Sequence, residues 1–178
     1  MLDTETYTLD TAIDDLDERI DDYDEAIEAT DEETDEYQML QDRRDTLSYR
    51  RNGLIWQRDE AGWGGDAVIK IGAPAAGEEA LMDREVPEAA GEKERRLWYV
   101  ATATVEAPHD TDSISDAFDD VANCHSGYIR WAEAQANGLG VAGNATTSST
   151  SSTATEDSAT STDEPASTTS SSSGSPTE

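Results

Sequence analysis

The sequence predicts a mainly α protein: an N-terminal helical hairpin forming a short coiled coil, a small compact mostly helical domain, and a disordered Ser/Thr-rich tail. Three observations lead there. Apolar residues recur at helical spacing near the start, and Gly and Pro clusters punctuate the middle. The last 35 residues hold 22 Ser or Thr and no Leu, Ile, Val or aromatic residue. The hairpin is assigned to residues 1–61, the compact domain to 62–143 and the tail to 144–178.

Leu9, Ile13, Leu16, Ile20, Tyr23 and Ile27 are separated by alternating steps of four and three, a heptad-like stripe on one helix face. Thr8 or Thr6 can cap its start. Its polar face is almost wholly Asp and Glu, with Arg19 the one basic residue. Ala29-Thr30-Asp31-Glu32-Glu33-Thr34 breaks the stripe. A second helix from Asp35 to about Glu60 carries Tyr37, Leu40, Leu47, Leu54 and Trp56. The short loop predicts that the two helices fold back antiparallel. Arg43, Arg44, Arg50, Arg51 and Arg58 on the second helix are read as neutralising the acidic first helix, with a basic contact strip as the functional alternative.

Gly62, Gly64 and Gly65 end the hairpin. Residues 66–71 suit a short strand or an ordered loop. Pro74 opens a helix through about Arg84, and Pro87 and Gly91 bound the next linker. Residues 95–105 fit either a strand or a buried helix, because a short apolar run does not separate the two, and Pro108 ends them. Asp112 or Ser113 can cap a helix through Val121. A last helix is read over Gly127 to Asn137, stopped by Gly138. The tail cannot bury enough apolar surface to offset its ordering entropy.

The 178 residues carry 41 acidic and 12 basic side chains, a formal charge of −29, and a single Cys. Clustered phosphate contacts need Lys and Arg, so nucleic acid is excluded as a partner. One Cys closes no internal disulfide. No run is long and apolar enough for a membrane span, and MLDTETYTLD lacks the basic start and apolar run of an export signal. Of the excess charge, −24 falls in the first 143 residues, which have 36 acidic and 12 basic side chains, so the charge reads as adaptation to molar salt.

No chemical constellation emerges. His109, Cys124 and His125 are the only His and Cys residues and have no metal-ligand spacing. The acidic run at 31–36 lacks the glycine of a calcium loop, and no glycine cluster forms a phosphate cradle. Cys124 reads as a small core residue at a helix end. No catalytic residue, metal or cofactor is expected, and the protein is read as non-enzymatic. Among the four tryptophans, Trp98 and Trp131 read as core. Trp56 and Trp63 divide between core packing and anchoring a partner.

Ala76-Gly77-Glu78, Arg95-Arg96-Leu97-Trp98-Tyr99-Val100-Ala101, Val105-Glu106-Ala107-Pro108, Tyr128-Ile129-Arg130-Trp131 and Ala136-Asn137-Gly138-Leu139 follow one another in a recognisable order. Over about residues 70–142 this resembles the tail assembly chaperones of tailed phages and of their haloarchaeal virus relatives. Cys124-His125-Ser126-Gly127 departs from that pattern, where a more ordinary helix-initiating segment is expected. The resemblance implies a factor that binds the tape-measure protein or another tail protein, self-associates as a homo-oligomer, and works in the cytoplasm of a halophilic archaeal host. The expected protein-binding residues are Leu9, Ile13, Leu16, Ile20, Tyr23, Ile27, Trp56 and Trp63. The alternatives are a structural virion component, such as a head–tail or tail accessory protein using the hairpin to oligomerise, and a cellular coiled-coil adaptor.

Overall fold

A strand that sequence pattern does not announce begins the architecture. The computed structural model describes residues 1, 3–109 and 113–147, with side chains described through Val141. β1 (Thr4–Thr8) runs directly into helix α1 (Leu9–Glu28). Thr8 is both the last strand residue and the helix cap: its Oγ1 accepts the Thr11 N–H at 3.2 Å, and its own N–H donates to Thr11 Oγ1 at 3.0 Å. The next orphan donors are also satisfied, because Leu9 N–H reaches the Ala67 carbonyl and Asp10 N–H the Gly65 carbonyl, each at 3.1 Å. The helix start is thereby sewn to a loop more than fifty residues away.

Thr34 caps helix α2 (Asp35–Asp59), accepting the Tyr37 N–H at 3.2 Å. Beyond α2, Gly62 and Gly64 adopt φ values of 74° and 82°, the left-handed region where a side chain strains the backbone. The chain then enters β2 (Val68–Gly72), the middle strand of an antiparallel sheet ordered β1-β2-β3. Thr4 pairs with Gly72 and Thr8 with Val68. Ile69 and Ile71 point into the core, while Val68 is exposed and Lys70 half-buried, the alternation of a strand with one covered face.

α3 (Ala76–Glu85) follows buried Pro74, and the Glu78 carboxylate accepts the Ala75 N–H at 2.8 Å. The ambiguous segment 95–105 resolves into helix α4 (Glu92–Ala103), with the short strand β3 (Thr104–Glu106) after it. Thr102 and Thr104 tolerate the helix end because each hydroxyl donates to the carbonyl four residues back, at 2.8 Å. Ser113 caps α5 (Ile114–Val121), and α6 (Ser126–Thr147) closes the described chain. Asp112, the other cap candidate, lies outside the described residues. The result is a small, mainly helical protein with six helices among the described residues.

One core serves the whole of it. Leu9, Ile13, Leu16, Leu47 and Leu54 from the first 61 residues share a buried cluster with Ile69, Ile71, Val100, Val121, Tyr128 and Trp131. The boundary expected after residue 61 therefore separates two stretches of chain around a single interior. The α2–α6 crossing is close. A Cβ on Gly53 would collide with the backbone of Gly127 and Tyr128, and one on Gly127 with the Tyr49 carbonyl. Only glycine allows two backbones to meet at that distance.

The last helix is longer than expected. Gly138 does not stop α6, which continues to Thr147 and takes in the first four residues assigned to the tail. A Cβ at Gly138 would meet nothing within 4 Å, so this glycine shapes no turn. Propagating an established helix costs little per residue, about 1 kcal/mol even at glycine. The rest of the Ser/Thr-rich segment, 148–178, lies outside the described residues.

Candidate protein-interaction surface

The apolar stripe of α1 has two fates along its length. Leu9, Ile13 and Leu16 are 0%, 4% and 2% exposed, so the protein's own interior consumes them. Ile20, Tyr23 and Ile27, farther out, are half-buried, as are Tyr37 and Leu40 facing them on α2. No residue between Leu16 and Leu47 is buried. About twelve residues of each helix thus project past the core, an arm of roughly 18 Å at 1.5 Å per residue. Of the expected binding residues, the three nearest the helix start are unavailable to a partner in the folded protein. Periodicity marks a face of a helix, not what covers it.

The arginines also divide. Arg58 pairs with Asp10 at 3.2 Å, Arg51 donates to Asp17 at 3.0 Å, and Arg44 lies 3.8 Å from Asp24. Each rung steps seven residues up one helix and seven down the other, which places α1 and α2 side by side and antiparallel. These three arginines neutralise the acidic helix. Arg43 and Arg50 do not. They line a cleft of about 390 Å³ with Arg19, Tyr23, Met39, Asp42, Thr46 and Leu47. Among the described residues, none of Arg19, Arg43, Arg50 and Arg130 forms an ion pair within 4 Å. Burial, then the guanidinium of Arg19 and, against a contrary pull from Glu133, that of Arg130, lower the pKa of Arg50 from its ordinary value.

Trp56 and Trp63 lie at the other end of the hairpin. Trp63 packs edge-on against buried Tyr128, with ring centroids 5.3 Å apart, and 5.7 Å from His109. It belongs to the margin of the core. Trp56 is exposed, and with Tyr49 it flanks His125, each ring 5.9 Å from the imidazole. His125 also braces the start of α6. Its Nδ1 accepts the Gly127 N–H and its own N–H donates to Gln57 Oε1, both at 3.0 Å. Burial above all, then the charge of Asp120, pushes the neighbouring Cys124 thiol up to about 12, against a smaller opposing effect of Gln57. At neutral pH it is a protonated, weakly nucleophilic thiol.

Trp98 and Trp131 are buried, Trp98 stacked on Phe118 at 4.1 Å and Trp131 edge-on to Tyr7 at 5.2 Å. Among the described residues, no group of three or more His, Cys, Asp or Glu could hold a metal ion. No helix among them is long and apolar enough to cross a membrane. Compared with protein-family models, curated proteins and solved structures, the chain matches none.

Proposed function

We infer that the protein is a non-enzymatic protein-binding factor that acts through the outer part of its α1–α2 hairpin. One observation carries this reading. Ile20, Tyr23, Ile27, Tyr37 and Leu40 form an apolar seam that the protein's own core leaves half covered. A two-helix seam of this kind offers a groove for a third amphipathic helix, read by anchors three and four residues apart. The resemblance over about residues 70–142 supplies the setting: a tail assembly chaperone of a halophilic tailed virus, holding the tape-measure protein before the tail polymerises. A tape-measure protein is long and helical with apolar stripes, the kind of ligand the seam suits. The acidic surface would keep such a complex soluble in molar salt.

The binding test is capture of the tape-measure protein by an Ile27→Asp, Leu40→Asp double variant, compared with the parent protein in molar KCl. These positions leave the buried cluster intact. Loss of capture is expected with helical content retained, and unchanged capture by the folded variant would remove the seam from the site. The assembly role has its own test, mass spectrometry of purified particles. A chaperone leaves the finished virion, whereas stoichiometric copies there would establish the structural alternative, in which the same arm joins subunits permanently.

A further inference from the structure

Five basic side chains project from α2, and the ladder to α1 uses three of them. The other two, Arg43 and Arg50, are seven residues apart and face the same cleft as Arg19 of α1. In a chain with 41 carboxylates, three arginines gather at one place where Asp42 is the single acidic residue in the lining. Asp42 makes no ion pair with them. The Arg50 Nε is buried without a hydrogen-bond partner, an expensive condition for a guanidinium. Burial first, then the charge of Arg19, holds its pKa down against a contrary pull from Glu133, which does not line the cleft. Apolar surface borders the cations directly: Tyr23 and Leu47 line the cleft, and Met39 is 45% exposed in its wall.

We propose that the cleft of Arg19, Arg43 and Arg50 receives the carboxylates of an acidic amphipathic helix from a partner protein, whose apolar face lies on the Tyr23–Met39 side of the hairpin. The inference rests on the protein-binding reading of the hairpin and adds the chemistry of its partner. The occupant follows from charge complementarity. Guanidinium groups pair with carboxylates in forked geometry, and the adjoining apolar surface suits aliphatic side chains on the same helix. A nucleic acid fits less well, because a surface with a net charge of −29 repels a phosphate polymer on approach.

Labelled peptides of three heptads test this by fluorescence anisotropy, at the lowest KCl concentration that preserves full helical content. One has Leu at its core positions and Glu beside them. A second has Lys beside the same Leu, a third has Glu but Ser at the core positions, and an oligonucleotide is the fourth probe. The Leu/Glu peptide is expected to bind best. An Arg43→Glu, Arg50→Glu variant is expected to weaken it by at least about tenfold and to gain affinity for the Leu/Lys peptide. Equal binding of the Leu/Glu and Leu/Lys peptides would overturn the anionic partner while leaving the apolar seam in place. Equal binding of the Ser-core peptide or the oligonucleotide would overturn the seam as well and reduce the cleft to a simple anion site. Self-association without peptide that vanishes in the charge-reversed variant would overturn the proposal in favour of a second copy of this chain. An Arg44→Glu variant serves as the control, since its guanidinium belongs to the ladder. Equal weakening by that change would also overturn the assignment.

Discussion

The two ends of the α1–α2 pair are built from the same heptad pattern and differ in what covers them. At the base, Leu9, Ile13, Leu16, Leu47 and Leu54 are enclosed by β2, α4, α5 and α6. At the tip, Ile20, Tyr23, Ile27, Tyr37 and Leu40 remain half open, Ile20 and Tyr23 still resting against the margin of the core. The base is a structural element, and the tip is the part proposed to bind. The difference teaches that burial, and with it the contribution to stability, changes along one helix of unchanged pattern, so substitutions should divide by position and not by residue type.

The largest effect is expected where the base is tightest. Gly53→Ala places a methyl group on the backbone of α6 and should cost about 3 kcal/mol or more in denaturant unfolding. Leu54→Ala, at a fully buried site, should cost about 2–5 kcal/mol. If either proves neutral, the base is not the tight crossing described. Cys124 comes next. Its folded pKa of about 12 lies above the ordinary thiol value, so the folded state holds its proton where the unfolded state has lost it. This contribution to stability is complete below about pH 8.5, declines as the pH rises, and is gone at about 12. A thiol reagent at pH 8 should modify the native protein far more slowly than the denatured one, and equal rates would place Cys124 at the surface.

Smaller effects belong to the hairpin itself. Arg51→Met should cost up to about 1 kcal/mol at low salt and less in molar KCl, since a partly exposed pair is worth little and is screened. Ile27→Ala should cost roughly 1 kcal/mol or less, well below Leu54→Ala, because the side chain is only half-buried. A cost equal to that at Leu54 would dissolve the contrast between base and tip. The least effect on stability is expected from Arg43→Ala, within about 0.5 kcal/mol, as the side chain is exposed and makes no ion pair among the described residues.

Much of the helical skeleton was legible because caps and periodicity are local signals. Thr8 and Ser113 cap the helices that follow them, as their places in the sequence indicate, while the Thr34 cap of α2 lies in the stretch read only as a break. β1 was not legible. Thr4-Glu5-Thr6-Tyr7-Thr8 has the β-branched content of a strand but no apolar alternation, and its partner begins sixty residues later. The same non-local pairing hid the shared core, since nothing near residue 61 announces that α2 lies against α6. In the candidate surface, the stripe correctly marked one face, yet only tertiary packing decides that Leu16 is covered and Ile20 half open. The division of the arginines does have a signal in the chain. That signal covers only the paired set: Arg44, Arg51 and Arg58 repeat every seven residues in mirror order to Asp24, Asp17 and Asp10, but Arg43 and Arg50 fall opposite Glu25 and Glu18 by the same rule, so only the folded structure shows that they stay out of the ladder.

That mirror order makes the reach of the arm an adjustable quantity. Each rung pairs residues whose positions rise by seven on one helix and fall by seven on the other. Inserting seven residues into both helices beyond Arg44 and Asp24 would lengthen the arm by about 10 Å and leave all three rungs and the whole base in place. Shortening by the same step is not open to it, because only four residues of α1 lie beyond Asp24 and the outermost rung would be lost. Such an arm can therefore grow in whole steps, like adding links to a chain, with no renegotiation of the interior.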